Sequence, residues 1–571
     1  MHDLIIRGGL LVDGSGAPAR HADVAVDGDR ITAVTDPGDR DLGRARRVIE
    51  AEGAVVTPGF VDVHTHYDAQ VTWDPELTPS SWHGVTTVVM GNCGVGFAPV
   101  RPTDHQRLIE LMEGVEDIPG AAMHEGISWE WETFEEYLDA LERRRWMLDV
   151  GTQLPHGALR AYVMGDRATG PADADDIAAM AAHARRALEA GALGVSTSRT
   201  PLHRSIDGEL VPGTTADASE LLALAGAIAA AGHGVFQCAI HHPEVPASFA
   251  WLRQVAAVTG GPVVFNLNQP DVAPDLWRTD LALCEEAARD GLRVLAQVAG
   301  RPVGILQCWE ATVHPFVACP TWREITRLPE AERRARLADP DVRRRLVTEE
   351  PDPVSRFQHF VTRTWEKLWV FDDEADYEPD PADSLAARAA REGRSPAELA
   401  YDHLCAHEGR GLLYFPLFNY ANHDLDHLWE LHRHPCTRMG LADAGAHCGA
   451  IADGGMPTFM LQYWARDRQR GPRLDLEWVV HRQTRQTAEL YGLDDRGLVA
   501  PGLRADLNVI DLEALSVERP RLAHDLPTGA RRYVQRASGY RATVCAGEVT
   551  VGDDEPTGAV PGRLIRGPQR H

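Results

Sequence analysis

Eight short apolar runs separated by helical patterns constrain this chain more than any other feature. The runs are Phe60–His64, Val85–Met90, Leu148–Leu154, Leu193–Thr197, Gly234–Ile240, Pro262–Leu267, Arg293–Gln297 and Arg438–Asp443. Between several of them, as in Asp173–Ala190 and Ala218–Ala231, apolar residues recur three and four apart, the spacing of one helix face. Eight strands alternating with helices predict a (β/α)₈ barrel over residues 58–496, with a doubly wound open sheet as the competing arrangement. A segment rich in charge, proline and helix formers, about 321–410, reads as an insertion before the last strand. The first residues (DLIIRGGLLVD, HADVAVDGDRITAV, RRVIEAEGAVV) and a later stretch (ADLNVIDLE, YRATVCAGEVTVG) carry β-formers between Gly/Asp turns. Residues 1–57 and 497–553 are therefore expected to complete one small β domain, followed by an Arg/Pro-rich tail at 554–571.

Charge and composition exclude several functions. A net charge of −27 repels phosphate backbones and anionic membrane surfaces, so no nucleic-acid or membrane partner is expected. No run reaches the roughly 18 apolar residues of a membrane span, and the N-terminus turns polar before a signal-peptide core has formed. The 9 cysteines are scattered without a C-x-x-C pair and read as reduced thiols, which points to the cytoplasm.

Three stretches carry chemistry. In GFVDVHTHYD, at the end of the first strand, His64 and His66 are two apart and in extended chain point to the same side. They are either an ordinary histidine pair or two ligands for an ion such as zinc, and a barrel strand's C-terminal end is where such enzymes carry their site. Cys93 follows the second strand in GNCG; it is a small buried hydrophobe, or a thiolate ligand if a metal lies beside it. Asp443 ends the last strand in GLADAGAH, as a helix N-cap or as a carboxylate that ligates a metal and takes a proton from activated water.

DLIIRGGLLVDGSG, TPGFVDVHTHYDAQ, WHGVTTVVMGNCGVGFAP, GLADAGAH and GLDDRGLVAPGLRADLNVID together resemble the amidohydrolase superfamily, within it the N-acyl-D-amino-acid deacylases, or D-aminoacylases. The anchors span residues 3–511. The resemblance implies a (β/α)₈ barrel with a small β-sandwich from both chain ends, and an amide hydrolase in which one or two Zn²⁺ ions activate water. It implies metal ligation by His64, His66, Cys93 and Asp443, with Asp443 also general base and acid. Many relatives in the superfamily bridge two metals with a carboxylated lysine on strand four. The single lysine here, Lys367, lies in TWEKLWVF inside the expected insertion, and in the D-aminoacylase branch a cysteine takes the bridging place, in agreement with Cys93.

The chain also departs from the deacylase pattern. Where that pattern has metal-binding histidines on strands five and six, this sequence has GVFQCAIHHPE and PVVFNLNQP. Gln237 stands at the first position and Asn266 or Asn268 at the second, with His241 and His242 as nearby substitutes. The expectation is one firmly held ion on His64 and His66, with a second site weak, rebuilt or absent. The cations that hold a substrate carboxylate in the deacylases have no counterpart at their usual places. Arg199, His203, Arg204, Arg301, His156, Arg160 and His447 are the substitutes: each alone reads as a structural or surface residue, and their shared placement near strand ends makes them candidates. Two alternatives stand beside a small-molecule amide hydrolase: a hydrolase or deaminase of a ring C–N bond with one metal, and a metal-free barrel that binds a small molecule. A homo-oligomer is left open.

Overall fold

Each of the eight apolar runs overlaps a strand in the computed structural model, which describes residues 1–39, 42–371 and 374–570. Residues 372–373 of the expected insertion and residue 571 of the tail lie outside the described residues. Three strands, Phe60–Asp62, Val85–Met90 and Asp149–Thr152, form one parallel ladder. Leu154–Pro155, Gly194–Arg199, Val235–Ile240, Val263–Asn266, Val294–Val298 and Thr437–Met439 form a second parallel ladder in chain order. Gln153 alone separates the end of the first ladder from the start of the second. Beyond the strands, His66 N–H donates to Ala444 O at 2.8 Å and Asp443 N–H to His64 O at 3.1 Å, which ties the chain after the first strand to the chain after the eighth.

Helices cover these strands for local reasons. In Ala174–Ala190, Asp173 accepts from the backbone N–H groups of Asp175 and Asp176, while the Asp176 side chain accepts from Asp173 N–H, a reciprocal cap. Met180, Ala184, Ala187 and Leu188 form its buried stripe. Ala218–Ala231 packs alongside it and stops at Gly232, whose φ of +74° suits glycine.

The chain's two ends meet in a separate nine-stranded sheet. Val55–Pro58 runs antiparallel to Leu507–Ile510 with Val56 opposite Val509, joining the N-terminal strands to the C-terminal ones. Leu4, Ile6, Val24, Val26, Val56, Leu507, Val509 and Val544 fill its core. Among the described residues, six α-helices and a three-stranded antiparallel sheet lie between the seventh and eighth strands of the ladders, from Gly304 to Pro416. They have a core of their own that includes Trp309, Phe316, Trp322, Leu346, Leu404 and Phe415. The last residues are packed rather than loose: Gly562 and Ile565 N–H donate to Trp146 O and Val150 O, both at 2.8 Å, and Leu564 and Ile565 are buried.

Candidate metal centre

Position along the strands brings the chemistry together. His64 and His66 follow the first strand, Cys93 the second and Asp443 the eighth, all on the side where the strands end. Among the described residues, His64, His66 and Cys93 place one donor atom each within 4.8 Å of one another, all three side chains buried. Cys93 Sγ lies 3.3 Å from His64 Nε2. Asp443 Oδ1 lies 3.3 Å from His64 Nε2 and 3.6 Å from His66 Nε2. Ligands about 2.0–2.3 Å from a tetrahedral ion stand about 3.3–3.8 Å from each other, so these separations fit a zinc-like ion. The donors fit as well: two imidazoles, a thiol and a carboxylate are the set that selects such an ion. Asp443 caps no helix, since the next one begins only at Asp453.

The loop that carries Cys93 is shaped by its glycines. Gly94 has φ +73°, and a Cβ there would come within 2.9 Å of the Thr197 backbone, so only glycine lets the loop lie this close to the fourth strand. Cys93 itself has φ +55° and Asp443 φ +48°, left-handed values that cost a side-chain-bearing residue energy and gather at functional sites. Asp68, the last residue of the HTHYD stretch, accepts from Gly91 N–H at 3.2 Å at the loop's start.

Charge in the metal-free cluster is arranged in opposition. Burial disfavours charge on His64, but the Cys93 thiolate and Asp443 beside it raise its pKa to about 9. His66 is raised well above the usual value despite burial, chiefly by Glu116. Burial would raise Cys93 and Asp443, yet the neighbouring imidazoles hold the thiol below its usual value and Asp443 well below the carboxylate range.

Two partners of this cluster escaped the sequence reading. Gln297, at the end of the seventh strand, accepts from His64 Nδ1–H at 2.9 Å, which leaves His64 Nε2 as the ligand atom. A polar residue closing an apolar strand was the available signal. Glu116, buried at the end of helix His105–Glu116, lies 3.4 Å from His66 Nδ1 and 3.5 Å from His447 Nε2; nothing in its local sequence marks it.

The expected substrate-binding side chains mostly point elsewhere. Arg199 Nη1 donates to Gly213 O and Ala216 O. His156 and Arg160 share Glu220 in a buried network, His156 Nε2 lying 2.7 Å from it. Arg301 is buried beside Asp453 at 3.3 Å, over the Tyr377 ring. Arg204 donates to Pro201 O and Gly208 O on its own loop. His203 and His447 are the exceptions: His447 lies beside Glu116, and the His203 ring feels Glu116, His447, His66 and Asp443, with its pKa lowered to about 4 by burial.

On the fifth and sixth strands the amides are already engaged. Gln237 Oε1 accepts from Cys93 N–H at 2.8 Å, Asn266 Oδ1 from Ile240 N–H at 2.7 Å, and Asn268 Oδ1 from Asn419 Nδ2 at 2.8 Å. His242 packs edge-on against Phe418, with its pKa lowered to about 3 by burial. His241 stands outside the group of mutually close donors.

Residues 47–551 match the Amidohydrolase family. The chain is 29% identical to an N-acyl-D-glutamate deacylase of Alcaligenes xylosoxydans xylosoxydans over 575 aligned residues, covering 99% of this chain and 96% of the relative. It is 37% identical to a D-aminoacylase of the same organism over 211 residues, a match spanning 37% of this chain and 40% of that protein. Its fold is similar to that of a D-aminoacylase studied for its binuclear metal centre, with one-metal activation and second-metal attenuation (TM-score 0.65, 25% identity, 99% of this chain and 100% of the other). With a family match over most of its length and its strand-end imidazoles, thiol and carboxylate converging on one point, the chain belongs to the amidohydrolase family, on its D-aminoacylase-like branch.

Proposed function

We propose that the protein is a zinc-type N-acyl-D-amino-acid deacylase that works with one firmly held ion. The observation that carries this is the convergence of His64, His66, Cys93 and Asp443 at distances that suit a single tetrahedral ion. A divalent ion held there would supply a Lewis acid that activates water near neutral pH. Asp443 Oδ1, facing both imidazoles and partly open to solvent, is placed to accept the proton of the attacking water and pass it to the leaving nitrogen. Gln297 fixes the tautomer of His64, and Glu116 lies on the far side of His66. His203 and His447 stand at the edge of the cluster, where they can orient the substrate.

Gln237, Asn266 and Asn268 support the single-ion reading, because an amide oxygen is a weaker zinc ligand than an imidazole and each of these already spends one lone pair on a neighbouring N–H. We extend the proposal to the frame. The bonds linking His64 and His66 to Asp443 and Ala444 support closure of the two ladders into one (β/α)₈ barrel over residues 58–496. Residues 1–57 and 497–553 would form the β-sandwich domain, residues 321–410 most of an insertion, and residues 554–571 a tail laid against the barrel. The 9 unpaired cysteines fit a reducing, cytoplasmic setting. Among the described residues, no helix is long and apolar enough to cross a membrane.

A substrate panel tests the activity. Purified protein is expected to hydrolyse N-acetyl- or N-formyl-D-amino acids and to leave their L-enantiomers nearly untouched. Turnover confined to hydantoins, lactams or aminated heterocycles would replace the deacylase reading with a ring C–N hydrolase.

A further inference from the structure

Gln237 is wholly buried in the middle of its strand, in register with Ser196 on the neighbouring strand. An amide in such a place needs a reason, since a valine would pack there without an unmet polar group. Its Nε2 has no hydrogen-bond partner, whereas its Oε1 accepts from the backbone N–H of Cys93 at 2.8 Å. A backbone N–H can only donate, so the oxygen's orientation toward Cys93 follows from the chemistry of the pair. Ser196 adds a second hold on the same loop: its Oγ accepts from Gly94 N–H at 3.0 Å and donates to Gly91 O. Gly157 N–H donates to Gly94 O at 2.8 Å. These bonds grip a residue whose φ of +55° would not persist without them.

We propose that Gln237 is a positioning residue for Cys93: its carbonyl clamps the Cys93 loop so that the thiolate faces His64 Nε2. The inference rests on the reading that Cys93 ligates a metal. The strand-five amide thus serves the single ion indirectly, by holding one of its ligands in place.

The test compares full-length wild type with Gln237→Met and Gln237→Leu, which remove the acceptor at similar volume, and Gln237→Glu, which keeps it. Each is loaded with Co²⁺, and the near-ultraviolet thiolate-to-cobalt charge-transfer band and the Co²⁺ affinity are read, with circular dichroism confirming the fold. Met or Leu is expected to lose most of the band and to bind Co²⁺ about 10–100-fold more weakly, with Glu close to wild type. Wild-type band and affinity in a folded Met or Leu variant would overturn the proposal. A second arm needs no metal: alkylation of Cys93 by iodoacetamide, followed by peptide mass, is expected to speed up severalfold in the Met variant, and an unchanged rate contradicts the clamp. Wild type that lacks the band while the Met variant still alkylates faster would remove Cys93 from the ligand set and leave the clamp standing.

Discussion

Asp443 combines left-handed backbone, a carboxylate 3.3 and 3.6 Å from two imidazole Nε2 atoms, and a pKa held far below the ordinary range by those imidazoles. Replacing it with asparagine keeps the shape and removes the proton acceptor, so kcat is expected to fall by about a thousandfold or more with circular dichroism unchanged; near-normal turnover would end its assignment. The histidines carry a second expectation. His64, raised to about 9 in the metal-free protein, is charged at neutral pH and must shed its proton to bind a metal through Nε2. Affinity measured by titration is therefore expected to rise from pH 6 towards pH 9, with proton release on binding. For the metal-free protein the sign is opposite: a raised histidine pKa contributes stability in full below about 6.5, lost as pH rises through about 9. The convergence of His64, His66, Cys93 and Asp443 was legible in the sequence, because each lies just beyond a strand and the strands end on the same side. The contacts of Arg199 and Arg301 were not, because a long guanidinium reaches whatever carbonyls and carboxylates lie within its length, here Gly213, Ala216 and Asp453.

At the scale of elements, the runs ending in His64, Gln297 and Asp443 were readable as strands, but their bounds were not. The structure ends the first and eighth at Asp62 and Met439, since the chain beyond must turn its side chains toward the site. Burial of the tail was unreadable as well: RLIRGPQR looks solvent-bound, yet Arg563 N–H donates to Asp149 Oδ1 at 2.9 Å. Asp149, on the third strand, also takes Arg496 at 2.8 Å and Arg504 at 2.8 Å in a buried network that joins strand, exit signature and tail. Removing one partner of such a network strands the opposite charges. Asp149→Ala is expected to cost roughly 3–5 kcal/mol in denaturant unfolding, while kcat of the folded fraction changes little. A loss below 1 kcal/mol would show that solvent reaches the two arginines.

For the molecule as a whole, the large hydrophobic core of the layered strands and helices is flanked by further clusters, one in the sheet shared by both ends and one in the Gly304–Pro416 segment. Charge, proline and helix formers marked residues 321–410 as an insertion, but the flanking strands Gly304–Gln307 and Leu412–Pro416 pair across more than a hundred residues, a contact no local pattern announces. Lys367 pins the insertion to the loop after the sixth strand, at 2.6 Å from Asp271. Elemental analysis of the purified protein combined with anomalous scattering from its crystals counts the ions proposed for His64, His66, Cys93 and Asp443 and locates them. The expected result is one divalent ion per chain, with a single peak among His64, His66, Cys93 and Asp443. Two peaks of equal height, or a protein that hydrolyses its substrate with no metal bound, would contradict it.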